Sequence, residues 1–141
     1  MKITKEAILS RMGENRERVE QALARTAPVT PIKRIAIIVC GNVAANCPAS
    51  ACLWAFREQE RYFEQYKGEK IPLKLFAFFP CNGCDTDFAN DLGMRKKLER
   101  LVLEEVDKVH LASCIKSKCP HIQTICAELE KYDLKYEVGT H

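Results

Sequence analysis

Four short apolar runs mark the chain after residue 31, and longer stretches with apolar residues at helical spacing separate them. The runs have the length of buried strands and predict strands at 34–39, 73–79, 109–112 and 136–139. The stretches between them predict helices over about 48–66, 86–106 and 120–131. Strands and helices that alternate in this way build a parallel sheet covered by helices on both faces. The pattern therefore predicts an α/β fold, a three-layer sandwich with a four-stranded, mainly parallel sheet.

The start of the chain has a different pattern, in which apolar residues recur at helical spacing among charged ones. These apolar residues are Ile8, Met12, Val19 and Leu23. They predict one amphipathic helix over residues 4–26, which Pro28 and Pro31 would end. We thus divide the chain into an N-terminal helical extension, 1–30, and a cysteine-rich α/β domain, 31–141. The apolar stripe is expected to cover a flank of that domain; the alternative is that it joins two copies into a homo-oligomer.

Length and charge narrow the classes of function. A chain of 141 residues fits one domain that buries about two-thirds of its surface, so its core needs no disulfides. The net charge of +3 comes from 22 basic and 19 acidic residues without a basic run, so nucleic acid is not an expected partner. No signal peptide pattern opens the chain, and the apolar run 35–40 is far shorter than the roughly 20 residues that span a bilayer. We expect a cytoplasmic protein with no membrane partner.

Most of the eight cysteines lie where the predicted strands end. Those at strand ends or in the following loops are Cys40, Cys47, Cys81, Cys84, Cys114 and Cys119. Parallel strands of a flavodoxin- or Rossmann-like sheet share one carboxyl edge, and ligands bind outside it. In a reducing compartment such cysteines are more often ligands or catalysts than disulfides. The sequence therefore predicts a metal- or cluster-binding edge, which we call the cysteine rim.

Two of these cysteines precede a proline, in Cys47-Pro48 and Cys119-Pro120. Proline is preorganised for the first turn of a helix, so each cysteine is predicted to be the cap residue of the helix that follows. The sulfur would then face the positive end of the helix dipole and unpaired backbone N–H groups. Both effects lower a thiol pKa from about 8.5 and favour the thiolate that binds metal.

A CxxC motif, Cys81 to Cys84, comes directly after the second predicted strand. Gly83 inside it is free to take a positive φ, and the spacing lets two sulfurs of one tight turn bind one metal. Zinc sites, iron–sulfur sites and thioredoxin-like redox pairs all use this spacing. His121, and His141 just after the last strand, are expected at the same edge.

Other residues have a structural explanation. Cys52 either reaches the rim or packs beneath it, and Cys126 should belong to the core because it lies about 10 Å along the helix from Cys119. The aromatic residues of the first crossover, expected in the core, are Trp54, Phe56 and Phe63. Asp85 and Asp87 are expected to cap the following helix.

From residue 34 to 141 the chain resembles the CGGC-domain proteins, a small family regarded as metal-binding domains. The residues that carry the resemblance are Cys40, Cys47-Pro48, Cys52, Cys81, Cys84, Ser113-Cys114, Cys119-Pro120-His121 and Thr140-His141. One position departs from the family pattern, since Asn82 stands where the family name has glycine. Asn is tolerated in turn conformations, so we expect the loop to survive. The resemblance implies metal binding and supplies no reaction.

Three functions fit these observations, and they leave open whether the chain is an enzyme. The first is a metal-binding protein that holds an iron–sulfur cluster or Zn²⁺ by cysteine thiolates. Its candidate ligands are Cys40, Cys47, Cys81, Cys84, Cys114, Cys119 and His121. Sulfurs from three different strand ends, at Cys40, Cys81 and Cys114, would suit a cluster with one free iron.

The second function is a thiol–disulfide oxidoreductase in which Cys81 or Cys84 is the nucleophile. Thioredoxin-like folds need an antiparallel strand pair that this strand order does not provide. The third is a non-enzymatic binding module, in which helix N-termini at the rim hold a small-molecule or anionic ligand. A flavin or nicotinamide cofactor is not expected, because the loop 39–42 contains a single glycine.

Overall fold

The computed structural model describes residues 2–28 and 30–141 and has the predicted architecture. Its strands are β1 (Lys33–Val39), β2 (Leu73–Pro80), β3 (Lys108–Leu111) and β4 (Tyr136–Val138). They form one sheet in the order β2-β1-β3-β4, and every pairing in it is parallel. The three-layer α/β fold and the parallel sheet are confirmed, and each strand begins and ends within one residue of its prediction.

Helices cover both faces of this sheet. They are α3 (Gly41–Ala44), α4 (Ser50–Glu58), α5 (Leu92–Leu103), α6 (Ser113–Lys118), α7 (Ile122–Lys131) and a 3₁₀ helix (Arg61–Tyr66). Ile35 and Ile37 of β1 pack with α4 and the 3₁₀ helix. Ala36 and Ile38 point to the other face and pack with α5 and α7. Because successive side chains alternate between two covered faces, the whole strand reads as apolar.

Two predicted helices are shorter than expected, and single residues explain why. The stretch 48–66 is α4 followed by the 3₁₀ helix, because Gln59 takes the left-handed conformation (φ 53°) and ends α4. The stretch 86–106 becomes helical only at Leu92, where the Asp91 carboxylate accepts a hydrogen bond from Met94 N at 2.8 Å. Asp85 and Asp87 do not cap α5; the Asp87 carboxylate bonds instead to Ala89 N in the preceding loop.

The predicted single N-terminal helix is two helices, α1 (Lys5–Ser10) and α2 (Arg16–Thr26). Gly13 between them has φ +54°, a conformation that a continuous helix excludes. Ile8 and Leu9 of α1 are buried against Leu103 of α5. The extension therefore covers a flank of the α/β domain, as expected. Nowhere in residues 2–28 and 30–141 is there a helix both long and apolar enough to cross a membrane.

One fully buried histidine was not predicted as a feature of the fold. His110 of β3 stacks on Phe63 with ring centroids 4.2 Å apart. Its Nδ1 lies 3.0 Å from the Gly139 carbonyl oxygen and therefore carries the proton, and its Nε2 accepts from the Tyr66 hydroxyl at 2.7 Å. Burial lowers the pKa of His110, and the Gly139 carbonyl and the Glu137 carboxylate only partly offset that effect. The folded protein thus holds a neutral imidazole that links β3 to the 3₁₀ helix and to the segment after β4.

We predict that the protein loses stability as the pH falls below about 6.5. Above that pH, His110 is neutral in both the folded and the unfolded state. Below it, the unfolded chain binds a proton that the folded protein, with its lowered His110 pKa, does not bind, so the free energy of unfolding decreases. Urea denaturation between about pH 5.5 and 7.5 measures this slope. His110→Gln should flatten it, whereas His121→Gln, at an exposed histidine, should leave it unchanged.

We also predict that α1 is an integral part of the core. Ile8 is 1% exposed, so Ile8→Ala should lower the free energy of unfolding by about 2 to 5 kcal/mol through lost burial and a cavity. Val19→Ala, at a half-buried residue of α2, is the control and should cost about 1 kcal/mol or less. Chemical denaturation compares the two variants. Equal, small losses for both would show that the extension is only loosely attached.

Candidate functional site

The cysteine rim exists, and the sheet builds it. Cys40 follows β1 directly, Cys81 follows β2 directly, and Cys114 lies in the first turn of α6 just after β3. Because the strands are parallel, these residues all leave the sheet at its carboxyl edge. The remaining predicted cysteines lie in the loops of this edge, and all eight cysteines carry free thiols.

The CxxC turn rests on α3. Gly41 N donates to the Cys81 sulfur at 3.2 Å, and Asn42 Nδ2 donates to the Cys84 sulfur at 3.4 Å. Gly83 has φ +96°, as its place inside the turn predicted. Both sulfurs of the motif therefore face the same short helix, and each has an N–H donor.

On the other side of β1, a backbone N–H joins two strand ends. Cys40 N donates to the Cys114 sulfur at 3.3 Å. The Cys52 sulfur lies 3.2 Å from the Thr140 hydroxyl, and that hydroxyl accepts from Ser113 N, also at 3.2 Å. Cys52 is thus a buried residue that does reach the rim, where it contacts the segment after β4.

The two Cys-Pro steps have the same local structure, although neither cysteine is the N-cap of the helix that follows. The cap residues are Ala49 for α4 and His121 for α7, two positions after each cysteine. Ala49 N donates to the Cys47 sulfur, and His121 N donates to the Cys119 sulfur, both at 3.4 Å. Each sulfur accepts a hydrogen bond from the backbone N–H of the second residue after it, which forms a tight turn. The helix therefore begins after the proline. The prediction of cap residues was wrong by two positions.

The sulfurs near Cys119 and the sulfurs near Cys52 form two groups. Burial raises the pKa of the Cys119 thiol, and the neighbouring sulfurs of Cys81, Cys84 and Cys40 raise it further. We call these four cysteines the first sulfur group. Burial likewise raises the pKa of the Cys52 thiol, and Cys114 and Cys47 add to the effect. Cys47, Cys52 and Cys114 form the second sulfur group.

The two groups differ in exposure. In the first group Cys40 is buried, Cys81 and Cys119 are half-buried and Cys84 is exposed; in the second, Cys52 is buried, Cys114 half-buried and Cys47 exposed. Among the described residues, 2–28 and 30–141, no three Cys, His, Asp or Glu side chains are arranged to hold a metal ion. A metal would therefore need side chains of the rim to rotate.

The remaining predicted residues lie at and around the rim. His121 is exposed at the N-cap of α7, and His141 is tied to Ser113 through its main chain. Cys126 is half-buried and packs against the core, as expected. Trp54 is 39% exposed and does not belong to the core, whereas Phe63 is fully buried as predicted.

The sequence profile of the CGGC domain matches residues 34–141, about three quarters of the chain. The chain belongs to the CGGC domain family. No curated protein matches the sequence, and no solved structure matches the fold closely enough to be compared. The family agrees with the resemblance seen in the cysteine, proline and histidine positions, all of which lie inside the matched segment.

Gly41 is a residue of the site that the sequence analysis missed. A Cβ added to it would overlap the carbonyl oxygen of Cys81 and lie 3.3 Å from Gly83 N. The atoms it would meet are main-chain atoms, which cannot swing aside. Only glycine lets α3 approach the CxxC turn this closely. The position of this glycine, directly after β1 and Cys40, could have indicated a close approach of two backbone segments.

We predict that Gly41→Ala separates α3 from the CxxC turn. The added methyl group should lower the free energy of unfolding by about 1 to 3 kcal/mol, as overpacking does, and it should make the Cys84 thiol react faster with an alkylating reagent. Gly68→Ala is the control, because Gly68 has φ +83° but no atom near its would-be Cβ. That variant carries backbone strain alone and should leave thiol reactivity unchanged. Equal reactivity in both variants would contradict the close approach.

Proposed function

We propose that this protein binds a transition metal, as Zn²⁺ or within an iron–sulfur cluster, through the thiolates of the first sulfur group. The proposed ligands are Cys40, Cys81, Cys84 and Cys119. They come from the end of β1, the turn after β2 and the segment before α7. Four cysteine sulfurs are the ligand set of structural zinc sites and of [2Fe–2S] and [4Fe–4S] clusters.

The observation that carries this proposal is the set of N–H groups aimed at the sulfurs. Cys81, Cys84 and Cys119 each accept a hydrogen bond from an N–H donor: Gly41 N, Asn42 Nδ2 and His121 N. Such donors stabilise a thiolate more than a thiol, and they are the usual surroundings of metal-bound sulfur. The Cys114 and Cys47 sulfurs accept such bonds as well, so the donors favour thiolates along the whole rim.

Charge supplies a second argument. Close thiolates repel one another, which is why the sulfurs of this group raise the pKa of Cys119. A bound cation reverses that effect, because it attracts the thiolates and favours loss of their protons. Lys97 lies close to the turn, but its ammonium group is already bonded to Pro80 O and to Asn82 Oδ1, at 2.9 and 2.8 Å. A metal is therefore the cation that we propose for this group.

Binding of one ion or cluster requires these side chains to rotate. Cys84 is exposed and is the least restricted of them, whereas Cys81 and Cys119 are half-buried and pack against the edge of the core. When bound, the metal would hold the three loops of the rim together and, if an iron were left open, bind a small molecule as a Lewis acid. The protein's own part is to supply the sulfurs, their N–H donors and the glycine that lets α3 and the CxxC turn meet.

A thiol–disulfide reaction at Cys81 and Cys84 is the second candidate. It is supported by the placement of both sulfurs against α3. The all-parallel sheet lacks the antiparallel pair of thioredoxin-like folds, and two further cysteines of the same group would have no part in such a reaction. We therefore rank it below metal binding.

We predict that Cys84→Ser and Cys119→Ser each reduce the metal content of protein purified without oxygen, because each removes a ligand. Elemental analysis for zinc and iron, together with an absorption spectrum, measures the loss and identifies the metal. Cys126→Ala is the matched control, since Cys126 lies seven residues after Cys119 and belongs to neither sulfur group. It should keep its metal and lose only about 1 kcal/mol of stability.

Thiol counting separates the two candidate functions. Metal-loaded protein should protect the first sulfur group from alkylation until a chelator is added. A protein that contains no metal when made anaerobically and shows one rapidly formed disulfide between Cys81 and Cys84 would favour the redox reaction. Metal loss in Cys126→Ala equal to that in Cys84→Ser would refute the ligand assignment.

A further inference from the structure

An open pocket of about 640 Å³ lies beside the rim, at the carboxyl edge of the sheet. It is lined by Ala51, Trp54, Arg61, Tyr62 and His141. Its described lining contains no cysteine, so the pocket is separate from both sulfur groups. We infer that it binds a small molecule that combines a flat ring with an anionic group.

The aromatic walls account for the ring. Trp54 is the only tryptophan of the chain, and its side chain remains 39% exposed on α4. Tyr62 is fixed, because its ring rests on the main chain of Gly139, where a Cβ would lie only 2.5 Å from ring carbons. An exposed indole and an immobilised phenol in one lining offer stacking surfaces that cost little side-chain entropy on binding.

The charges account for the anion. Arg61 lines the pocket, and the Lys116 ammonium group is held against the Tyr62 hydroxyl. Within the described part of the chain, the Arg61 guanidinium forms no ion pair and no hydrogen bond. The nearby carboxylates of Glu58 and Glu60 are paired with Arg57 and Lys67, at 3.0 and 3.1 Å. Among the side chains of the described lining, Arg61 thus supplies the fixed positive charge, and Arg can bind a carboxylate or phosphate through two parallel hydrogen bonds.

The backbone of Arg61 fixes where its side chain starts. Its φ is +55°, a left-handed conformation that is unfavourable for a residue with a Cβ. Gln59, Glu105 and Asp133 have the same conformation, so the strain alone does not mark a ligand site. Here the conformation turns the arginine into the pocket just before Tyr62. The same backbone could be built with glycine at no such cost, but glycine would not carry a guanidinium.

Titration of the wild-type protein with three probes tests the ligand class. Adenosine monophosphate carries a ring and an anion, adenosine carries the ring alone, and inorganic phosphate carries the anion alone. Trp54 fluorescence reports stacking, and calorimetry reports binding without relying on the tryptophan. We expect saturable quenching by adenosine monophosphate with a dissociation constant below about 1 mM, and binding of the other two at least about tenfold weaker.

Two variants with the same backbone change test the role of Arg61. Arg61→Gly relieves the left-handed strain, so its denaturation midpoint should stay equal or rise while adenosine monophosphate binds at least about tenfold more weakly. Gln59→Gly relieves the same strain at φ 53°, on a residue outside the pocket lining, and should keep wild-type affinity. A merely structural role for Arg61 would affect stability and leave affinity alone.

Each other outcome overturns a named part of the inference. If no probe gives a saturable response, the proposed site does not exist. If adenosine binds as tightly as adenosine monophosphate, the proposed anionic contact is refuted. If phosphate binds as tightly as adenosine monophosphate, the proposed ring contact is refuted. Equal affinity of Arg61→Gly and Gln59→Gly for adenosine monophosphate would refute the role of the guanidinium. Repeating the titration with Cys84→Ser separates this pocket from the metal site, because the pocket should bind with wild-type affinity whether or not the protein holds metal.

Discussion

The central strand β1 is buried on both faces and paired in parallel on both edges, and this arrangement decides where the protein can place its reactive groups. Ile37 and Ile38, next to each other in sequence, pack into opposite halves of the core. Because the neighbouring strands run in the same direction, the chain must cross the sheet after each strand and start each loop from one edge. Cysteines at the strand ends are therefore gathered by apolar packing. The rim can form before any metal or disulfide does, unlike a zinc finger, whose folding depends on its metal.

The strands could be predicted from the sequence because burial on both faces leaves a continuous apolar run. Helix ends depend instead on the backbone conformation of single residues, which the spacing of apolar residues does not reveal. Gln59 ends α4 by taking a left-handed conformation. Glycine or asparagine at that position would have predicted a helix end, whereas glutamine does not. Asp85, Asp87 and Asp91 are all chemically able to cap α5, and only the packing of Met94 in the core selects the last of them. Gly13 could have indicated an interruption of the helix, but the apolar residues at helical spacing on both sides of it favoured a single helix.

At the site, the sequence predicted the edge but not how it is divided. Which sulfurs lie near Cys119 and which lie near Cys52 depends on how the loops pack in the folded protein, and Cys114 packs against both halves of the core. His110 was missed for a related reason, since a histidine within an apolar run fits a strand, and its partner Tyr66 is 44 residues away. Trp54 was assigned to the core because large aromatic residues on a crossover helix usually pack inward. Its exposure leaves an indole at the edge where a ligand of this fold would bind.

A continuous set of hydrogen bonds connects the second sulfur group with the aromatic pocket. Cys52 contacts the Thr140 hydroxyl, which accepts from Ser113 N, and the Ser113 hydroxyl donates to the His141 carbonyl at 2.8 Å. Ser113 precedes Cys114, which holds Cys40 N, and His141 lines the pocket. A change at Cys114 that moves the start of α6 must therefore move the segment that carries His141. The segment after β4, which has no helix of its own, is thus held in place by Ser113 and by the second sulfur group, and this packing does not require a metal at the first sulfur group.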